Sequence, residues 1–395
     1  MSTTAESARP RRLSAVLREG AQVTPLELFF DLVFVLALTQ CTELMAEDPT
    51  WEGVAKAMLV LGVVWWAWVG YAWLTSVVDP EEGAVRLVIL AATAAFLVVS
   101  LCVPRAFDDD ALVFALAYAA VRGLHILLFL VASRDQPSLR SSTLGLAAST
   151  ALASGLLLAA AFTNGWVQGA LWALALLLDM GGPFFFGVEG WQLVPEHFAE
   201  RHGLIIIIAL GESIVAIGAG VEGDVDLGIV VAAVLGAAVA SAQWWLYFDI
   251  VALVAARRLA NARPGREQNA VARDSFSYLH LPMVAGIVLV ALGMKKTLGH
   301  VEDPLKTVPA VALLGGAAVY LLSHVAFRWR NVHRFSTQRL IAAVVAVALI
   351  PAALELPALV TVALLAALLS ALILYETLHF AELRDRLRHQ IAHAD

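Results

Sequence analysis

The sequence predicts an all-α fold: a polytopic transmembrane helical bundle of about twelve spans. Three observations carry that prediction. The first is composition. Of 395 residues, 60% are hydrophobic and 15% charged, with a mean hydropathy of +0.79, whereas soluble domains carry about 25% charged residues. Twelve crossings of about 20 apolar residues each would occupy about 240 positions, close to the hydrophobic fraction itself. The second is punctuation, because long apolar runs are separated by charged residues, proline or glycine. The third is the alternation of lysine and arginine from loop to loop. This composition excludes a secreted disulfide scaffold, a nucleic-acid binder and a cytosolic α/β enzyme.

The apolar runs fall at 25–46, 53–78, 84–104, 110–132, 141–162, 166–186, 203–221, 227–255, 276–297, 307–327, 338–352 and 356–378. They divide the chain into an N-terminal segment 1–24, a bundle 25–378 and a tail 379–395. The first run opens with Glu27 and Asp31 and lacks a small-residue cleavage site, so it is read as a membrane span and not as a signal peptide. The eleventh run is short and is parted from the twelfth by Pro351, Glu355 and Pro357. That pair is read either as two crossings in a tight hairpin or as a re-entrant unit. Cys41 and Cys102 lie in separate apolar runs, and nothing requires a bridge between them.

Orientation follows from the basic residues. With the N-terminus inside, the inner segments hold 20 lysines and arginines and the outer loops only Lys56, Arg105, Lys295, Lys296 and Lys306. Both termini are therefore expected on the cytoplasmic side of the cell membrane. A weak internal repeat sets 25–186 against 203–378. It aligns Glu27–Leu32 with Glu200–Leu204, Trp65-Trp66 with Trp244-Trp245, and His125 with His324. Two halves in the same orientation are an arrangement known from transporters.

A charged group at mid-helix in hydrocarbon costs at least about 2.5–3.5 kcal/mol, so each one needs a reason. Glu212 follows the run Ile205–Gly211 and is expected near the midplane, nine residues beyond Gly203. Gly211, Gly218 and Gly220 would let another helix approach closely. Glu212 is either a proton- or cation-binding carboxylate or a protonated group joining two helices. Thr24-Pro25-Leu26-Glu27 reads as a capping box with proline at the first helical position, which accounts for Glu27 without function. Asp31 lies a turn deeper, and with Thr24, Glu27 and Thr42 it forms a polar face, Thr39 at the edge.

Arg122 stands out as the one cation inside a predicted span, sharing a helical face with Tyr118 and His125. It either pairs with Glu212, Asp31, Asp179 or Asp249, or binds an anionic substrate. Asp249 follows Trp244–Phe248, and Asp179 precedes Gly181-Gly182-Pro183, which looks like a broken helix end. His280 and His324 have the chemistry of proton relays but equally that of structural histidines. Other chemistries are absent: no phosphate-binding glycine-lysine loop, no HExxH, and no nucleophile elbow at Gly211–Val215. Glu376-Thr377-Leu378-His379 has di-iron ligand spacing in a single copy, and is read as a solvated face. His389 and His393, one turn apart, are a faint metal hint. No cofactor or metal is implied.

The run Val23–Val35, containing Thr24-Pro25-Leu26-Glu27-Leu28-Phe29-Phe30-Asp31, resembles the opening signature of the bacterial low-temperature-requirement A family. Glu200–Leu204 with Leu210–Val215, Trp244–Asp249, and His280–Ile287 are similar to its later blocks. The resemblance implies a multi-pass membrane protein from a family named for cold growth, and it brings no catalytic or ligand residues with it. The first functional expectation is a secondary transporter or ion/proton-coupled permease for an unknown small molecule or ion. Its central site would combine Asp31, Arg122, Glu212 and Asp249. The rivals are a membrane enzyme acting on a lipid-like substrate through His197, Glu200 and His202, and a noncatalytic membrane-adaptation protein whose charges pair with one another. Apart from the lipid bilayer, no partner or oligomeric state is legible.

Overall fold

The computed structural model describes residues 22–185, 190–221 and 224–381. The arginine-rich tail and the pair His389/His393 lie outside them. Among the described residues the fold is helical throughout, apart from an isolated bridge between Pro304 and Pro357.

The helices are α1 (Pro25–Glu47), α2 (Trp51–Val77), α3 (Gly83–Cys102), α4 (Ala111–Ala132), α5 (Pro137–Ala160), α6 (Gly165–Phe185) and α7 (Pro195–Ala219). There follow α8 (Leu227–Phe248), α9 (Val251–Ala260), α10 (Arg266–Val271), α11 (His280–Gly299), α12 (Thr307–Val332), α13 (Thr337–Ala348), α14 (Ile350–Ala353) and α15 (Ala358–His379). Among the described residues eleven stretches are long and apolar enough to cross a membrane, with α8–α9 and α10–α11 each counted as one. Large apolar side chains such as Leu87, Leu177, Val234 and Leu378 face outward, while most polar groups deep in the helices are buried. That inversion is what a lipid solvent demands.

Thr337–Ala353 is shorter, yet it reaches from one end of the bundle to the other. At its start Arg339 bonds Glu376 near the end of α15. Just beyond its end the Ala358 and Leu359 amides donate to Asp303 and Val301, in the loop joining α11 to α12. It therefore runs antiparallel to both neighbours and completes a twelfth traverse. The first and last described residues then lie at one end of the bundle, which also carries most of the described loop arginines. This is called the basic end below.

The packing pattern recurs. α1 packs on α2 and α3, α3 on α4, α4 on α5, α5 on α6, and α6 returns to α2. α7 likewise packs on α8 and α11, α11 on α12, α12 on α13, α13 on α15, and α15 returns to α8; α1 and α7 touch at the centre. α11 and α12 approach closely where Gly286 meets Gly316, and a Cβ on either would come within 2.8 Å of the other's carbonyl. Gly220 is similarly tight against Lys295, but Gly211 and Gly218 face open space and permit no close contact. The aligned tryptophans also differ: Trp65 and Trp66 are buried, whereas Trp244 and Trp245 are partly exposed.

Two helix ends depart from the sequence expectation. α6 continues through Pro183 to Phe185, so Asp179 sits inside an intact helix. The break falls instead at Asp249-Ile250, between α8 and α9. Before α11, residues Ala272–Tyr278 form a π-helical turn. Pro282 cannot donate to the Tyr278 carbonyl, and the widened turn offers Ser275 and Ser277 carbonyls to His280 Nδ1 and Trp65 Nε1. Cys41 and Cys102 are buried free thiols.

Candidate functional site

The α1 start forms as its sequence implies. The Thr24 hydroxyl accepts from the Glu27 amide, and Glu27 Oε2 accepts from the Thr24 amide. Glu27 does more than cap, because its Oε1 faces inward. It accepts from Arg201 Nη1 at 3.0 Å and lies 2.8 Å from His197 Nε2. Arg201 Nη2 donates to Asp31 Oδ1 at 2.7 Å, where Trp68 Nε1 also donates at 2.8 Å. Thr75 accepts from Nη1, and Ser76 lies 2.9 Å from His197 Nδ1. Apart from the half-buried Thr24, all these side chains are buried. Two carboxylates face one guanidinium, so the cluster is neutral only with one further proton, held by His197 or by a carboxyl.

A second arginine lies across α2. Arg122 is the twelfth of the 22 residues of α4, halfway through the bundle. Its Nη2 donates to Asp179 Oδ1 at 2.9 Å and Thr150 Oγ1 at 2.8 Å. Thr150 and Tyr118 donate in turn to the two Asp179 oxygens. Neither Arg122 Nε nor the His125 ring nitrogens, all buried, have a hydrogen-bond partner. Gly70 makes room for this cluster: a Cβ there would lie 2.7 Å from Arg122 Nη1 and 2.9 Å from the His125 ring.

Above Arg122 opens a cavity of about 580 Å³, mouth included. Trp66, Trp73, Trp191 and Phe129 wall it, with Arg122 and His125 at its depth. Ser142, Gly182 and Arg273 line its basic-end side, where the Arg273 guanidinium also stacks on Phe184 at 4.2 Å. α2 is the partition between the two arginines. At 100° per residue Trp66, Gly70 and Trp73 span about 60° of its circumference, while Trp68 and Thr75 lie about 180° away. One face therefore serves the open cavity and the other the sealed Arg201 cluster.

Comparison with known proteins fits this architecture. A model of the bacterial low temperature requirement A family (LtrA) matches residues 22–374. The chain belongs to the LtrA family. It is also similar to the uncharacterized protein RA0937 of Rhizobium meliloti (strain 1021), 30% identical over 306 residues, 75% of this chain and 74% of that one. No solved structure matches.

In this LtrA protein the four residues expected to form one central site occupy four settings. Asp31 is held by Arg201, and Arg122 by Asp179. Glu212 is the eighteenth residue of α7, because that helix starts at Pro195 and not near Gly203. It therefore lies about 10 Å from the far end, not at the midplane. It is buried and accepts from Thr39, while Lys295 and Glu43 pair nearby. Asp249 lines a separate cavity at the basic end. Asp31 and Glu212 line none of the three principal cavities.

The early start of α7 also explains why Arg201 escaped notice as a membrane cation. Counted with the loops, it supported orientation; inside the helix it is a second buried arginine, and nineteen loop cations remain against five. Pro195 with Glu196 in the first turn was the available start signal. His197 and His202, the residues suited to a lipid-facing enzyme, are fully buried, and His202 packs among Trp68, Phe198, Phe276 and His280. His280 Nδ1 donates to the Ser275 carbonyl, leaving Nε2 to accept from Tyr247. Glu376, expected on a solvated face, is instead nearly buried and doubly bonded by Arg339.

Proposed function

We propose that this LtrA protein is a secondary transporter for a small amphipathic anion, with the basic end in the cytoplasm of a cell membrane. The observation that carries this reading is a cavity walled by tryptophan and phenylalanine whose depth is a buried arginine–aspartate pair halfway across the bundle. Aromatic walls take an apolar body, and a guanidinium takes an oxyanion head. The entering anion bonds Arg122 and displaces Asp179. The released carboxylate, left among Thr150 and Tyr118 in apolar surroundings, takes a proton. Anion and proton thereby move together.

The orientation rests on the loop arginines. The sealed Arg201 cluster favours a second reading, in which the buried charges serve only to hold a membrane-adaptation protein together.

Reconstitution in proteoliposomes separates the two. A proton gradient should drive uptake of amphipathic anions, tested with a panel of aromatic and aliphatic carboxylates. Arg122→Gln should abolish uptake, and Asp179→Asn should keep binding while making transport insensitive to the gradient. Folded wild-type protein that moves no anion on the panel, or Arg122→Gln with unchanged flux, overturns the transporter reading.

A further inference from the structure

We propose a second anion-binding site in the C-terminal half, in the basic-end cavity bounded by α8–α9, α12, α13 and α15. It encloses about 960 Å³, mouth included. Its walls come from the second, fourth, fifth and sixth traverses of their half, as do most of the walls of the Arg122 cavity in the other half. Neither ring nitrogen of His324 has a hydrogen-bond partner, nor does the Ser336 hydroxyl. Both side chains are about 1% exposed and both line this space. Buried polar atoms without protein partners call for a ligand or water that supplies them.

The charge in this cavity selects the ligand. Arg339 is neutralised by two bonds to Glu376. Among the described residues Arg328 has no carboxylate at ion-pair distance, and its charged surroundings are Arg339, Arg334 and Glu376. Its positive charge is therefore the one lining this cavity with no carboxylate at ion-pair distance among the described residues. Asp249, on the α8–α9 side, already has a partner within the protein. Phe327 and Val254 complete an apolar wall. The matching chemistry is a monovalent oxyanion, phosphate or carboxylate, on a short apolar body. Arg328 takes the oxyanion, and His324 and Ser336 bond its remaining oxygens. This site does not depend on the transport reading. Its ligand comes either from solution or from the headgroup of an anionic lipid.

The test uses the full chain in phosphatidylcholine nanodiscs titrated with octyl phosphate, and in nanodiscs with added phosphatidylglycerol, read by thermal unfolding. A stabilising shift is expected in one or both arms. Arg328→Gln, and His324→Phe, which keeps the ring packing against Tyr320, should each weaken it about tenfold. Leu146→Trp, which fills the Arg122 cavity, should leave an Arg328-dependent shift in place. A shift with octyl phosphate identifies a soluble ligand, and one confined to phosphatidylglycerol discs a lipid. No shift in either arm, or one unchanged in Arg328→Gln and His324→Phe, overturns the proposal. So does a shift lost only in Leu146→Trp, which assigns binding to the other cavity.

Discussion

Arg201 and Arg122 lie on opposite sides of α2, and the protein treats them differently. Two carboxylates from α1 and a histidine from α7 close around Arg201, which lines none of the three principal cavities. Arg122 has one carboxylate and open space above it, while the Nε of either arginine is without a hydrogen-bond partner. A buried cluster whose guanidinium is held by two carboxylates fixes one helix arrangement, here α1 against α7 with α2. A cluster left partly open beside a cavity is able to exchange a protein partner for a ligand. Burial alone does not separate the two, since both arginines are about 1% exposed. Carboxylate count and adjoining space do.

The largest effect expected from this contrast is at Arg201. Arg201→Leu strands Glu27 and Asp31 without their cation, and breaking such a buried set costs about 3–5 kcal/mol. Thermal unfolding in detergent should show most of the folded protein lost. Adding Glu27→Gln and Asp31→Asn to the same variant should restore much of the stability, because the remaining groups are then uncharged. If the triple variant is no more stable than Arg201→Leu, the cluster is not held by charge.

A smaller effect is expected on the other face of α2. Gly70→Ala puts a methyl group 2.7 Å from Arg122 Nη1, and overpacking of this kind costs about 1–3 kcal/mol. The guanidinium has the cavity to move into, so the helix should form while Arg122 shifts off Asp179. Anion flux should fall further than the melting temperature implies. A stability loss with flux unchanged would mean that the position of Arg122 is irrelevant to transport.

Much of the architecture was legible because hydropathy and loop charge are local signals. The α1 cap and the unusual residues Asp31 and Arg122 follow from spacing, and the even number of traverses was read from the loop charges. Pairing was not legible, since it depends on which helices touch: nothing in the sequence states that residue 31 meets residue 201, or 122 meets 179. Two errors came from misplaced ends. Starting the seventh span at Gly203 hid Arg201 and moved Glu212 to the midplane, and reading Gly181-Gly182-Pro183 as a break placed the discontinuity in α6 and not after Asp249. The π turn before Pro282 gave no periodic signal, because a single wide turn leaves the hydrophobic pattern almost unchanged.

Glu212 carries the smallest predicted effect and sharpens the comparison most. It is as buried as Asp31, yet its described hydrogen bond is to a threonine and it lines none of the principal cavities. A side-chain amide in its place keeps an acceptor for the Thr39 hydroxyl and nearly the same volume. Glu212→Gln should therefore shift stability by no more than the net worth of one hydrogen bond, about 0.5–1.5 kcal/mol, and leave proton-driven anion flux at the wild-type rate. The same liposomes used for Arg122→Gln make the comparison direct. Loss of coupling in Glu212→Gln with binding retained would move the proton site about one-third of a helix length toward the far end, and the partly open Arg122 cluster would then bind substrate without coupling it.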